Sequence, residues 1–145
     1  MQASELLIQS MKHFRVEPPG ESFQVTQERA FINHGMKLMN RHTMGGRKVF
    51  DRRFKAFFGV KPMAVVIVWR LLKKKKWFET KMSTEPNKEH LLWAMRFMKS
   101  YSTEEIHAAE VQKNEKTWRK WTWLYLEGIA SVTDEVVSLN LYLVI

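Results

Sequence analysis

Between Asn114 and Tyr125 the chain reads NEKTWRKWTWLY, and the residue types in it suggest polyanion recognition. Lys113, Lys116, Arg119 and Lys120 supply cations, Thr117 a hydroxyl, and Trp123 a flat apolar surface. An arginine can donate two hydrogen bonds to guanine O6 and N7, whereas lysines more often contact phosphates, which position a protein without reading sequence. Arg119 is therefore the expected base reader, and Lys113, Lys116 and Lys120 the expected backbone contacts. Trp123 can cover a neighbouring helix or pack on a sugar or base. Glu115, at the start of the segment, suits a helix dipole but repels phosphate.

Such a set works only on a rigid support. At about 100° per residue, Trp118, Trp121, Thr122, Tyr125 and Ile129 fall in one stripe, opposite Lys116, Arg119, Lys120 and Trp123. The stripe predicts a helix anchored on its neighbours, with Asn114 as N-cap and Glu115 as first residue. Upstream, Ser102 and Glu105 have capping-box spacing, so a short helix is expected from about Thr103 to Val111, burying Ile106 and Ala109. Gln112, Lys113 and Asn114 form the turn. Before it, Leu91, Ala94, Met95 and Met98 follow i, i+3, i+4, i+7 spacing, with Trp93 and Phe97 as a second apolar strip; this helix should be covered on both sides. Three helices with short capped turns make a helix-turn-helix unit, whose last helix would enter the DNA major groove.

Composition agrees with a polyanionic partner. The 145 residues carry 24 Lys and Arg against 15 Asp and Glu, a net charge of +9, which favours nucleic acid over a membrane surface. The 45% hydrophobic content suffices for a core. Absence of cysteine excludes disulfides and thiolate chemistry and fits an intracellular compartment. No secretory signal is read at the N-terminus. The most apolar run, Met63 to Leu72, is about half of the ~20 residues a spanning helix needs and contains Arg70, so no membrane association is expected.

The rest of the chain reads as helices. Leu7, Met11 and Phe14 suggest a helix over Ser4 to Phe14, ended by the Glu17 to Gly20 turn. Phe31, His34, Leu38 and Met39 predict a second over Thr26 to Arg41, although Gly35 weakens it. Thr43 to Arg47 reads as a loop. Phe50, Phe54, Phe57 and Phe58 predict an amphipathic helix over Val49 to Val60, with Gly59 as C-cap. Pro62 to Phe78 reads as one helix with Val65, Val68, Trp69 and Leu72 on its packing face, the alternative being a strand over Val65 to Val68. Lys73 to Lys76 suit a solvated helix end; a nuclear-localisation or phosphate-binding patch is the other reading. The expected architecture is all-α, a helical bundle with an N-terminal helical region (1–82), a helix-turn-helix unit (83–137) and an apolar tail (138–145).

Enzymatic readings find no support. His13, His34, His42, His90 and His107 are widely separated and lack a close carboxylate set, so no metal site is expected. MGGRK lacks the spacing of a phosphate loop, no Ser-His-Asp motif is present, and no cofactor is expected.

The residues HLLWAMRFMKSY, STEEIHAA and EKTWRKWTWLYLEGIA, with RRFKAFFGV and VWRLL upstream, resemble the helix-turn-helix region of Harbinger-type DDE transposases. The resemblance spans half to two-thirds of the chain. It implies recognition of transposon-end duplex DNA by the third helix, and nuclear localisation. In that family a following RNase H-like domain supplies three metal-binding carboxylates. Here the chain continues only to the apolar SLNLYLVI, and the adjacent Asp134 and Glu135 read as solvent-facing, so binding without catalysis is expected. The competing expectation is a protein-interaction or homo-oligomerisation module built on Trp118, Trp121, Trp123 and the tail.

Overall fold

A computed structural model describes residues 21–133, with side chains from residue 27 onward. The helix expected over Ser4 to Phe14, the tail, and Asp134 and Glu135 lie outside the described residues. Within them the protein is all-α, with seven helices and no strand: α1 (Glu21–Leu38), α2 (Arg47–Phe58), α3 (Pro62–Lys74), α4 (Trp77–Lys81), α5 (Lys88–Ser100), α6 (Glu104–Glu110) and α7 (Glu115–Ser131). No helix among them is long and apolar enough to cross a membrane.

Helix α3 is the hub. Val65, Val66, Ile67, Val68, Trp69, Leu71 and Leu72 are all buried, so its apolar surface wraps most of the helix rather than one face. Helices α1, α2, α4, α5 and α7 all pack on it. That degree of cover explains why a β-branched run is helical here: tertiary burial outweighs a modest propensity difference. Pro62 occupies the first turn, where its missing N–H costs nothing.

The single helix expected over Pro62 to Phe78 is instead broken. Lys76 adopts a left-handed conformation (φ 57°), and α4 starts after it. Packing supplies the reason. In a continuous helix Phe78 would lie nine residues beyond Trp69, about 180° round the axis and away from the core. The break lets the Phe78 ring return to 4.7 Å from Trp69 and 5.8 Å from Tyr125. Lys73 and Lys76, both exposed, would also repel each other at i, i+3 spacing in a continuous helix.

Helices α1 and α2 meet through a close approach at Gly35. A Cβ placed there would lie 2.5 Å from a Phe54 ring carbon and 3.3 Å from Phe58, whose rings are buried in the core and packed on each other at 4.5 Å. The glycine that weakens the α1 pattern in sequence is thus what lets α2 dock. Gly35→Ala should destabilise the protein by about 1–3 kcal/mol in urea unfolding, because overpacking outweighs the ~1 kcal/mol gain in helix propensity. A stabilised variant would contradict this packing. At the far end of α2, Gly59 (φ 86°) is the left-handed C-cap that the sequence suggests, its N–H donating to the Lys55 carbonyl. Arg47 belongs to α2 rather than to the preceding loop, and its guanidinium pairs with Glu28 at 2.5 Å and Asp51 at 2.7 Å.

Two apolar clusters form the core. The larger joins Phe31, Phe50, Phe54 and Phe58 to α3 and to Leu91, Leu92, Ala94, Met95, Tyr125 and Val132. The smaller contains Trp93, Ala108 and Trp118, with Phe97, Val111, Trp121 and Leu38 against it. Helix α5 stands between them and is covered on both sides, as its two apolar strips require. The boundary drawn at residues 82 and 83 falls in the loop between α4 and α5, but the larger cluster continues across it.

Candidate nucleic-acid interface

Helices α5, α6 and α7 make the three-helix unit. Asn87 caps α5, its side chain accepting from the Glu89 amide at 2.9 Å, and its own amide donates to the Tyr125 hydroxyl at 3.2 Å. The N-cap of α5 is thereby tied to the middle of α7. Burial pushes the Tyr125 phenol up to about 12, so it remains a neutral hydrogen-bonding group.

The structure shifts α6 by one position from the sequence reading. Its N-cap is Thr103, whose hydroxyl accepts from the Ile106 amide at 3.2 Å, rather than Ser102. His107 and Ala108 are buried, whereas Ile106 and Ala109 are exposed. What sets this phase is an aromatic stack: the His107 ring lies parallel to Trp118, centroids 5.4 Å apart at 7°, with Phe97 edge-on to both. Desolvation by burial lowers the His107 pKa against the opposing pull of Glu110, favouring the neutral ring that stacks here.

Four residues, Val111 to Asn114, turn the chain into α7. Its left-handed position is taken by Gln112 (φ 58°) where a glycine is common in such turns. Asn114 is the N-cap, as expected, accepting from the Thr117 amide at 2.8 Å.

On α7, Trp118, Thr122 and Tyr125 are fully buried, with Trp121 and Ile129 partly covered at the stripe's edges. Opposite them, Lys116, Arg119, Lys120 and Trp123 share the exposed side, with Lys113 exposed in the turn and Thr117 half-buried beside it. The structure therefore brings all six candidate residues to the first three turns of one helix and the turn before it. Glu127, one turn beyond Trp123, ends the basic stripe.

Three of these residues already have partners. Arg119 Nε donates to Glu104 Oε2 at 2.6 Å, joining α7 to the start of α6. An exposed pair of this kind contributes at most about 1 kcal/mol to stability. Its geometric effect is larger, since a guanidinium held through Nε keeps the four Nη hydrogens for another acceptor. Trp123 is 46% exposed, its ring 5.8 Å from Phe97. It packs on Phe97 of α5 and leaves nearly half of its surface open to solvent. Lys120 lies 4.6 Å over the Trp121 ring, with its ammonium still exposed.

Apart from a core position for His34, the sequence offers only a metal-ligand role for the histidines, and their spacing speaks against it. Among the described residues no group of three His, Asp or Glu is placed to hold a metal ion. The ring of His90 instead stacks on Trp121 at 5.0 Å and meets Trp93 at 4.4 Å, while His107 supports Trp118. His34, expected in the core, is only half-buried, beside Glu89, Lys88 and Lys37. Arg96 was also missed. It donates to the Phe57 carbonyl at 3.0 Å and to Glu110 at 3.0 Å, tying the end of α2 to the end of α6. Its signal in sequence was weak: one arginine flanked by apolar residues.

No family model, curated protein or solved structure matches the chain.

Proposed function

We propose that the protein binds duplex DNA, with α7 as the recognition helix lying in the major groove. The observation that carries this reading is the division of α7 between a buried aromatic side and an exposed one bearing Lys116, Arg119 and Lys120, directly after a four-residue turn from α6. Arg119, oriented by Glu104, reads a guanine; Lys113, Lys116 and Lys120 contact phosphates, and Thr117 lies beside them. The resemblance of these residues to the helix-turn-helix of Harbinger-type transposases supports transposon-end DNA as the target and the nucleus as the location. No residue in this reading carries out catalysis, and the mechanism is binding.

A second reading is favoured by one observation. Tyr101 and Trp123, 77% and 46% exposed, both pack on Phe97 and leave aromatic surface beside α7, as a protein-interaction or homo-oligomerisation surface would.

Binding of the purified chain to a random duplex library at two salt concentrations separates the readings. Duplex binding that weakens steeply with salt is expected, because lysines displace condensed counterions. Arg119→Ala should relax selection at one base, a loss of about 1–3 kcal/mol of discrimination, and Lys120→Ala should weaken all sequences alike. Absence of duplex binding at low salt, together with salt-insensitive self-association, would favour the second reading.

A further inference from the structure

Most of this protein's positive charge lies outside the three-helix unit. Residues 1–82 contain 17 Lys and Arg against 6 Asp and Glu, whereas residues 83–145 contain 7 against 9. A three-helix unit without net positive charge gains little long-range attraction from DNA, so the electrostatic part of duplex affinity must come from elsewhere in the chain.

The fold brings part of that charge beside the α6–α7 turn. Leu38, the last residue of α1, packs against the smaller apolar cluster and lines one hollow with Val111 and Trp118, so the segment just after α1 lies near the turn. Arg41 and Arg53 line a shallow hollow of about 330 Å³ with Met39, Phe57 and Arg96. Phe57 and Arg96 also line the adjoining hollow beneath Glu110, Val111 and Trp118. Arg96 is committed to Glu110 and the Phe57 carbonyl. Arg41 and Arg53 pair with no carboxylate among the described residues; Arg53 is exposed and Arg41 half-buried. Lys37, one turn before Arg41, pairs with Glu89, next to the His90 ring that feels the charge of Lys113. A basic rim thus runs from the α6–α7 turn onto the end of α1 and the exposed side of α2.

We infer that Arg41 and Arg53 form a second phosphate-contacting surface, which grips the DNA backbone flanking the groove that α7 enters. This rests on the duplex reading of α7. The occupant is the sugar-phosphate backbone of the same duplex, since guanidinium groups without acidic partners match phosphate oxygens and the hollow adjoins the turn. The inference separates two roles: α7 selects the sequence, while the N-terminal helices supply much of the salt-sensitive affinity.

The test compares duplex binding over a salt series for the full chain, Arg41→Ala/Arg53→Ala, Arg41→Lys/Arg53→Lys and the charge-matched control Lys73→Ala/Lys76→Ala. The control removes two exposed lysines at the other end of the bundle, where neighbouring Lys75 donates to the Ser131 carbonyl near the C-terminus of α7. Each lost phosphate contact lowers the log–log salt slope by about 0.9, so the double alanine variant should lose nearly two and bind roughly tenfold more weakly, with sequence preference unchanged. The lysine pair should restore most of the slope and the control should leave it intact; thermal melts report whether each variant remains folded. If the alanine pair and the control behave alike while Lys120→Ala still weakens binding, this inference falls and the α7 reading stands. If the unmodified chain does not bind duplex, both fall.

Discussion

Trp118→Ala should destabilise the protein by about 3–5 kcal/mol, the range for truncating a large buried aromatic. The ring is 1% exposed and forms the centre of the smaller core, stacked on His107 and met edge-on by Phe97. Apart from the half-exposed pairs of Glu110 with Arg96 and Glu104 with Arg119, little else holds α6. That helix has seven residues, too few to persist alone, and of its own side chains only His107 and Ala108 are buried. Removing the indole therefore does more than leave a cavity: it detaches the scaffold that fixes the start of α7 and, with it, the Glu104–Arg119 contact. Urea unfolding should show the loss of stability, and duplex binding should fall with it even under conditions where the variant remains largely folded. A loss under about 1 kcal/mol would mean that α6 and α7 are held by something other than this stack.

Acid should weaken the fold well above the carboxylate range. Burial, reinforced by the charge of Lys113, lowers the His90 pKa to about 4, and its Nδ1 is enclosed without a hydrogen-bond partner among the described residues. In the unfolded chain the same ring titrates near 6.5. Between these values the unfolded state binds more protons, so stability is full above about pH 6.5 and is lost as pH falls towards 4, by about 2–3 kcal/mol for this residue. Burial also lowers the pKa of His34 and His107, and both act in the same direction. Comparing urea midpoints at pH 7 and 4.5 for the unmodified chain and His90→Gln tests this: the variant should lose most, though not all, of the pH slope. Equal slopes would place the acid sensitivity elsewhere.

Where the sequence was legible, periodicity or capping chemistry had enough residues to act on. The aromatic stripe of α7 spans several turns, and Trp118, Thr122 and Tyr125 are buried as the stripe requires. Asn114 and Gly59 cap α7 and α2 because an amide side chain and a left-handed glycine are local devices that need no tertiary context. The failures are tertiary. In α6 two turns are too few for a pattern, and an Ile106/Ala109 face competes with a His107/Ala108 face; the Trp118 ring decides, and it lies on another helix. The break at Lys76 is likewise invisible locally, since it exists to return Phe78 to Trp69. At the candidate site, the shared face of Lys116, Arg119, Lys120 and Trp123 was readable from helical spacing. The Glu104 partner of Arg119 and the nearness of Arg41 and Arg53 to the turn were not, because each joins segments remote in sequence.

If the exposed side of α7 contacts duplex DNA, its lysines are shielded in the complex, which lysine-reactivity footprinting by mass spectrometry reads residue by residue. Acetylation of the folded chain, with and without saturating duplex at low salt, compares Lys113, Lys116 and Lys120 with Lys73 and Lys81, all of which are exposed in the free protein. Lys113, Lys116 and Lys120 should lose reactivity when DNA is bound, whereas Lys73 and Lys81 should keep theirs. Undiminished reactivity at Lys116 and Lys120 in a DNA-bound sample would contradict that contact.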